Sequence, residues 1–164
     1  MSYLEARSGF FRAGLAVAEG NPGKLFDGAG RRRAQVLVAE NEQACLGYIT
    51  LVKSPKKGRF SQIGIPEIVD FNVFEHFQGQ GIGYRLLDAI CQLVSDFTSQ
   101  IGIGVGLNAH CGKAQKLYVQ NGFIPDGTCV WYEGSPLAIG ASAYNDDNLA
   151  LYFIKPLEHD IMLY

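Results

Sequence analysis

The stretch HFQGQGIGYRLLDAI, residues 76–90, sets Gly79, Gly81 and Gly83 directly before an apolar series. Ile82, Leu86, Ile90, Leu93 and Phe97 then recur at three- and four-residue steps, which predicts a helix with one apolar face. Glycine costs a helix about 0.5–1 kcal/mol per residue relative to alanine, so glycines at a helix mouth imply a compensating use. A helix start leaves its first amides without intrahelical partners and carries partial positive charge. Glycines there let the main chain wrap closely around an anion, because no Cβ intervenes and positive φ is inexpensive.

Two familiar glycine loops do not fit. A dinucleotide fingerprint needs G-x-G-x-x-G, but Tyr84 stands where the third glycine belongs and the βαβ alternation is missing. A P-loop needs G-K-[ST] at the helix entry, where this chain reads Gly83-Tyr84-Arg85. What remains is a [RQ]-x-x-G-x-[GA] segment, Gln78 to Gly83, between a strand and a helix.

The strand before it is EIVDFNVF, residues 67–74, dense in β-formers. Upstream, AQVLVAE at 34–40 and ACLGYITLV at 44–52 flank Asn41-Glu42-Gln43 and predict a hairpin. Residues 3–19 carry Phe10, Phe11, Leu15 and Ala18 at near-helical spacing and predict a helix; 20–30 and 54–66 predict loops. Downstream, IGIGVGL at 101–107 alternates apolar residues with Gly102, Gly104 and Gly106. That strand has one bare face, which either clears a ligand or admits a bulky side chain from a covering helix. A short helix follows at 113–120, stopped by Asn121-Gly122, then strands near 128–133 and 148–155 joined by the loop 134–147.

With 164 residues, 48% of them hydrophobic and 18% charged, the chain is expected to form a single globular domain spanning 1–164. A net charge of -2 argues against a nucleic-acid partner, and Arg31–Arg33 and the Lys53, Lys56, Lys57, Arg59 group read as solvated charge. The cysteines 45, 91, 111 and 129 form neither C-x-x-C nor metal-site spacings, so no metal is expected and the thiols suit a cytoplasmic setting. The N-terminus lacks a signal-peptide pattern and no run is long and apolar enough to span a membrane.

The glycine segment resembles the acyl-coenzyme A diphosphate loop of the GNAT N-acetyltransferase superfamily. Ala114-Gln115-Lys116-Leu117-Tyr118-Val119-Gln120-Asn121-Gly122-Phe123 resembles that family's second signature, A-x-x-L-Y-x-x-x-G-[FY], in the expected order, and the likeness covers roughly residues 35–155. The resemblance implies an α/β fold with α+β layering: a central mixed, mostly antiparallel twisted sheet with helices on both faces. Two parallel strands splay apart in that family to make the acyl-CoA slot. The first strand of the family is expected here to be short or missing.

The resemblance also implies acetyl-CoA as co-substrate and a small-molecule or peptide amine as acceptor, with direct acetyl transfer between them. The cofactor-binding set is then Gln78, Gly79, Gln80, Gly81, Ile82, Gly83 and Tyr84 for the diphosphate, with the identities of Gln80 and Ile82 mattering little. Main-chain groups of Phe71, Asn72 and Val73 would pair with the pantetheine arm. Tyr118 matches the tyrosine that protonates the leaving thiolate. Glu67, eleven residues before Gln78, matches the spacing of the glutamate base in histone-modifying members. A partly desolvated carboxylate there would have a raised pKa. Asp70, His110 or a water chain are alternatives for the base; His76 and His159 read as ordinary histidines. The loop residues Tyr144, Asp146 and Asp147 read as a solvated acidic loop or a border of the acceptor side. A homodimer is compatible with the family, the apolar C-terminus IMLY contributing. A non-catalytic acyl-CoA binder of the same fold is the rival reading.

Overall fold

The computed structural model describes residues 34–157 throughout and, ahead of them, the main chain of Tyr3–Leu4 and Arg12–Ala16. These residues belong to two compact units, Met1–Lys53 with Ile68–Leu93, and Ser54–Glu67 with Val94–Tyr164.

In the first unit the strand order is β1 (Tyr3–Leu4), β2 (Arg12–Ala16), β3 (Ala34–Glu40), β4 (Cys45–Val52) and β5 (Glu67–Val73). The β1–β2, β2–β3 and β3–β4 ladders are antiparallel. The helix expected over 3–19 is therefore corrected where residues are described: Ala13 to Ala16 pair with Ala39 to Val36. A sheet ladder overrides a weak helical periodicity, and Gly14 favours neither element on its own. Strand β1 is two residues long. Phe10, Phe11, Ala18, Arg31–Arg33, His159 and IMLY lie outside the described residues.

The β3–β4 hairpin turns where the spacing placed it. Asn41 accepts hydrogen bonds from the amides of Gln43 and Ala44 through its side chain, an Asx turn. Leu37, Ala39, Ile49 and Leu51 are buried on one face. Gly47 has no alternative: a Cβ there would stand 2.5 Å from the carbonyl oxygen of Asn72. Helix α2 (Ile82–Ser95; α1 belongs to the second unit) buries Ile82, Leu86, Leu87, Ile90, Cys91 and Val94. It stops before the periodic series does. The amides of Phe97 and Thr98 close on the Val94 carbonyl, which leaves Phe97 exposed.

In the second unit the order is β6 (Gln100–Gly106), β9 (Leu149–Pro156), β7 (Ile124–Tyr132) and β8 (Ser135–Pro136), with antiparallel ladders throughout. Helix α3 spans Gly112–Gln120, and Gly122 at φ 87° ends it as expected. The 54–66 loop contains a short helix, α1 (Arg59–Ile63), closed by Gly64 in the left-handed conformation. From it Phe60 enters the core and fills the bare face of β6: a Cβ on Gly102 would overlap the Phe60 ring. Tyr152 lies across Gly104 and the Cys111 thiol against Gly106. These glycines therefore accommodate side chains of the protein itself. Phe60 and Trp131 each meet Tyr152 edge-on, at 5.3 and 5.2 Å between ring centroids.

A polar clamp fixes α1. Strand β7 bulges between Pro125 and Val130, with Gly127 and Cys129 at positive φ. Within the bulge Asp126, its side chain 2% exposed, accepts hydrogen bonds from the Thr128 amide and hydroxyl and from Arg59 Nε at 2.6 Å. The Trp131 indole donates in turn to the Thr128 hydroxyl. Burial alone would raise the Asp126 pKa, but the bonds from Thr128 and Arg59 outweigh it and hold the carboxyl low.

Overpacking predicts that Gly102→Ala destabilises the protein by about 1–3 kcal/mol. Chemical denaturation of Gly102→Ala, Phe60→Leu and the double variant should show strong non-additivity, the smaller side chain relieving much of the glycine substitution's cost.

Candidate active site

Strand β5 runs into a single 3₁₀ turn, Glu75–Phe77, and then into the glycine segment. Gly79 and Gly81 both have φ 77° and open space where a Cβ would point. The segment is held from below rather than from within. Gln78 donates its side-chain amide to the Val73 carbonyl at 3.0 Å, Gln80 donates to the His76 carbonyl at 3.4 Å, and the Arg85 amide closes the first turn on the Gly81 carbonyl. Among the described residues, the main-chain amides of Gly79, Gln80, Gly81, Ile82, Gly83 and Tyr84 donate to no protein acceptor. A row of unpaired donors at the start of a 14-residue helix is an anion cradle. Ile82 departs from the expectation that its identity matters little: it is buried and seats the first turn of the helix in the core.

Of the other residues singled out in β5, Phe71 and Val73 are half-buried, and Asp70 and Asn72 are exposed. The Tyr48 phenol is pushed above its ordinary value by burial first and then by the influence of Asp70.

Glu67 and Tyr118 belong to the second unit. Glu67 follows Pro66, whose carbonyl accepts the Gly102 amide at 2.9 Å. Burial pushes its carboxyl up to about 7, the raised value expected of a desolvated base. Tyr152 feels the same carboxylate: burial, then the charges of Glu67 and Asp126, raise its phenol. Tyr118 is buried on α3 beside Phe123, 6.1 Å between centroids, and its pKa is pushed up to about 12 by burial and then by Cys111. Gln115 on the same helix donates to the Gly106 carbonyl at 2.8 Å, and Lys155 donates to buried Asn121 at 2.9 Å. The signature helix is thus tied to β6 and β9. His110, an exposed residue of the 3₁₀ turn before α3, and His76 are not drawn into this arrangement. Among the described residues no group of His, Cys, Asp and Glu could hold a metal ion, and no helix is long and apolar enough to cross a membrane.

The sequence pattern missed Tyr152 and the Arg59–Asp126 clamp. Tyr152 had a legible signal, since the glycines opposite it in β6 had to be filled by something large.

Residues 32–125, more than half the chain, match the acetyltransferase (GNAT) domain family. The chain belongs to that family, a class of acyl-transferring enzymes. Its fold is the GNAT fold, shared with a GNAT family acetyltransferase from Elizabethkingia anophelis with acetyl-CoA bound. That structure is 16% identical with TM-score 0.62, over 92% of this chain and 100% of the other. An IAA acetyltransferase from Bacillus cereus is 20% identical with TM-score 0.57, over 76% and 79% of the two chains. An acetyltransferase of the GNAT family from Staphylococcus aureus is 20% identical with TM-score 0.53, over 76% and 69%. No curated protein matches by sequence.

The raised Glu67 pKa carries a stability consequence. The folded state holds this proton more tightly than the unfolded chain, so the stabilisation is fully present below the ordinary value of 4.5 and is lost as pH rises through about 7. Denaturation midpoints of wild type and Glu67→Gln should therefore nearly coincide at about pH 3, with the variant the more stable at about pH 8.

Proposed function

We propose that this protein is an acyl-CoA-dependent N-acetyltransferase that moves an acetyl group from acetyl-CoA to a primary amine by direct transfer. The observation that carries the reading is the run of unpaired amides from Gly79 to Tyr84, with two glycines at positive φ and open space above them. Main-chain donors at a helix start suit a diphosphate without needing side-chain cations.

In this reading the amine nitrogen attacks the thioester carbonyl carbon, and the carbon–sulfur bond breaks. Tyr118 gives its phenolic proton to the departing thiolate, and Glu67 takes the proton from the amine, directly or through water. A pKa near 7 suits Glu67 to that task at neutral pH, since it is ionised often enough to act and basic enough to accept. The main chain of Phe71 to Val73 pairs with the extended pantetheine arm as an added strand would. No metal has a part in the proposed reaction, the acceptor is a small-molecule or peptide amine, and neither nucleic acid nor membrane is a partner. Cytoplasmic location and a homodimer complete the proposal.

Calorimetry with acetyl-CoA tests the anchor. Gly81→Ala strains the left-handed backbone by about 1–2 kcal/mol and should weaken binding, whereas the wild type should bind with measurable heat. Thiol release against a panel of amines tests the chemistry. Tyr118→Phe should lower kcat by about 10²–10⁴-fold with little change in acetyl-CoA affinity, and in Glu67→Gln the rise of kcat/KM through about pH 7 should disappear. Binding without turnover across the whole panel would identify a non-catalytic acyl-CoA binder instead.

A further inference from the structure

Gly122 at φ 87° already ends α3, yet the residue before it is buried as well. Asn121 is 6% exposed, and burying an amide is costly unless its polar atoms find partners. Its main-chain amide donates to the carbonyls of Leu117 and Tyr118 at 3.0 and 3.1 Å, and its side-chain oxygen accepts from Lys155 Nζ at 2.9 Å. Lys155 comes from β9, where its main chain pairs with Ile101 of β6. Its side chain runs past Gly122, with Cε 3.7 Å from where a Cβ would stand, and sets its ammonium 5.8 Å from the centre of the Phe123 ring. Phe123 is fully buried. Its amide donates to the Tyr118 carbonyl at 3.0 Å, and its ring stands 6.1 Å from the Tyr118 ring, inclined at 56°.

One ammonium therefore holds two side chains, Asn121 and Phe123, and both of these residues bond the main chain of Tyr118. An apolar side chain in place of Lys155 would fill the same space, so what the lysine adds is direction: a hydrogen bond to an amide oxygen selects one position among those that contact alone allows. We propose that Lys155 is a positioning residue, which acts through Asn121 and Phe123 to fix the seat of the Tyr118 phenol. The consequence for catalysis rests on the acetyl-transfer reading, in which that phenol protonates the departing thiolate. Proton transfer needs donor and acceptor within hydrogen-bond reach, so a small displacement of the ring lowers kcat and leaves coenzyme affinity alone.

Lys155→Met keeps the length of the side chain and removes its donor and charge, whereas Lys155→Arg keeps both. In the purified full chain the Tyr118 ring resonances, identified by their loss in Tyr118→Phe, should move in Lys155→Met and return toward their wild-type positions in Lys155→Arg. With acetyl-CoA and an amine that is turned over, Lys155→Met should lower kcat by roughly 10–10²-fold with KM for acetyl-CoA changed less than about twofold, and Lys155→Arg should recover most of the loss. In a Tyr118→Phe background the same Lys155→Met substitution should cost less than about twofold, because the group it places is gone. Should Lys155→Met fold poorly, the paired variant Asn121→Leu with Lys155→Met, which orphans neither partner, takes its place in each measurement. Unmoved Tyr118 resonances, or the same loss of kcat with and without the Tyr118 hydroxyl, would overturn the proposal. Moved resonances without acetylation of any amine would leave the placement of Tyr118 standing and remove the acetyl-transfer reading.

Discussion

Every helix start leaves its first amides without intrahelical partners, and a start built on glycines needs support from elsewhere to hold them in place. In this chain that support is the buried stripe of α2, which begins at Ile82 inside the glycine segment itself. One residue thus has two attachments: its main chain belongs to the donor row and its side chain to the core. Gly79 and Gly81, both ahead of it, have positive φ, while Gln78 and Gln80 fasten the segment to Val73 and His76. The donor row therefore rests on packed structure at Ile82 and on carbonyls of the residues before it.

The second unit shows the complementary use of glycine. Strand β6 has side chains on one face only, and three residues from three different elements cover the other: Phe60 from α1, Tyr152 from β9 and Cys111 before α3. Filling a bare face with large rings gives a densely packed layer, and the cost of disturbing it is steric. The clamp from Arg59 to Asp126 helps to set where α1 lies, hence where Phe60 points.

Local patterns made part of this legible. The β3–β4 hairpin, the onset of α2 and the end of α3 each rest on neighbouring residues, an Asn turn, a 3.6-residue stripe and an Asn-Gly stop, so reading the sequence locates them. The two signature segments likewise identified the family before any geometry was known. Strand β2 escaped because its reason for being extended is Val36 to Ala39, twenty and more residues away. Helix α1 escaped for a related reason: five residues are too few for a periodic signal, and a partner 67 residues distant fixes it.

Burial acts in the same direction on the two acids proposed for proton transfer, yet the consequences differ. Desolvation disfavours the charged form of each, moving Glu67 to about 7 and Tyr118 to about 12. At neutral pH the carboxyl is therefore divided between its two states, whereas the phenol is almost wholly protonated. The first shift brings the carboxyl into the range where proton acceptance is efficient, whereas the second makes the phenol a weaker acid than it would be in water. The apolar packing of the second unit sets Phe60 and Trp131 edge-on against Tyr152, whose phenol in turn feels the Glu67 charge.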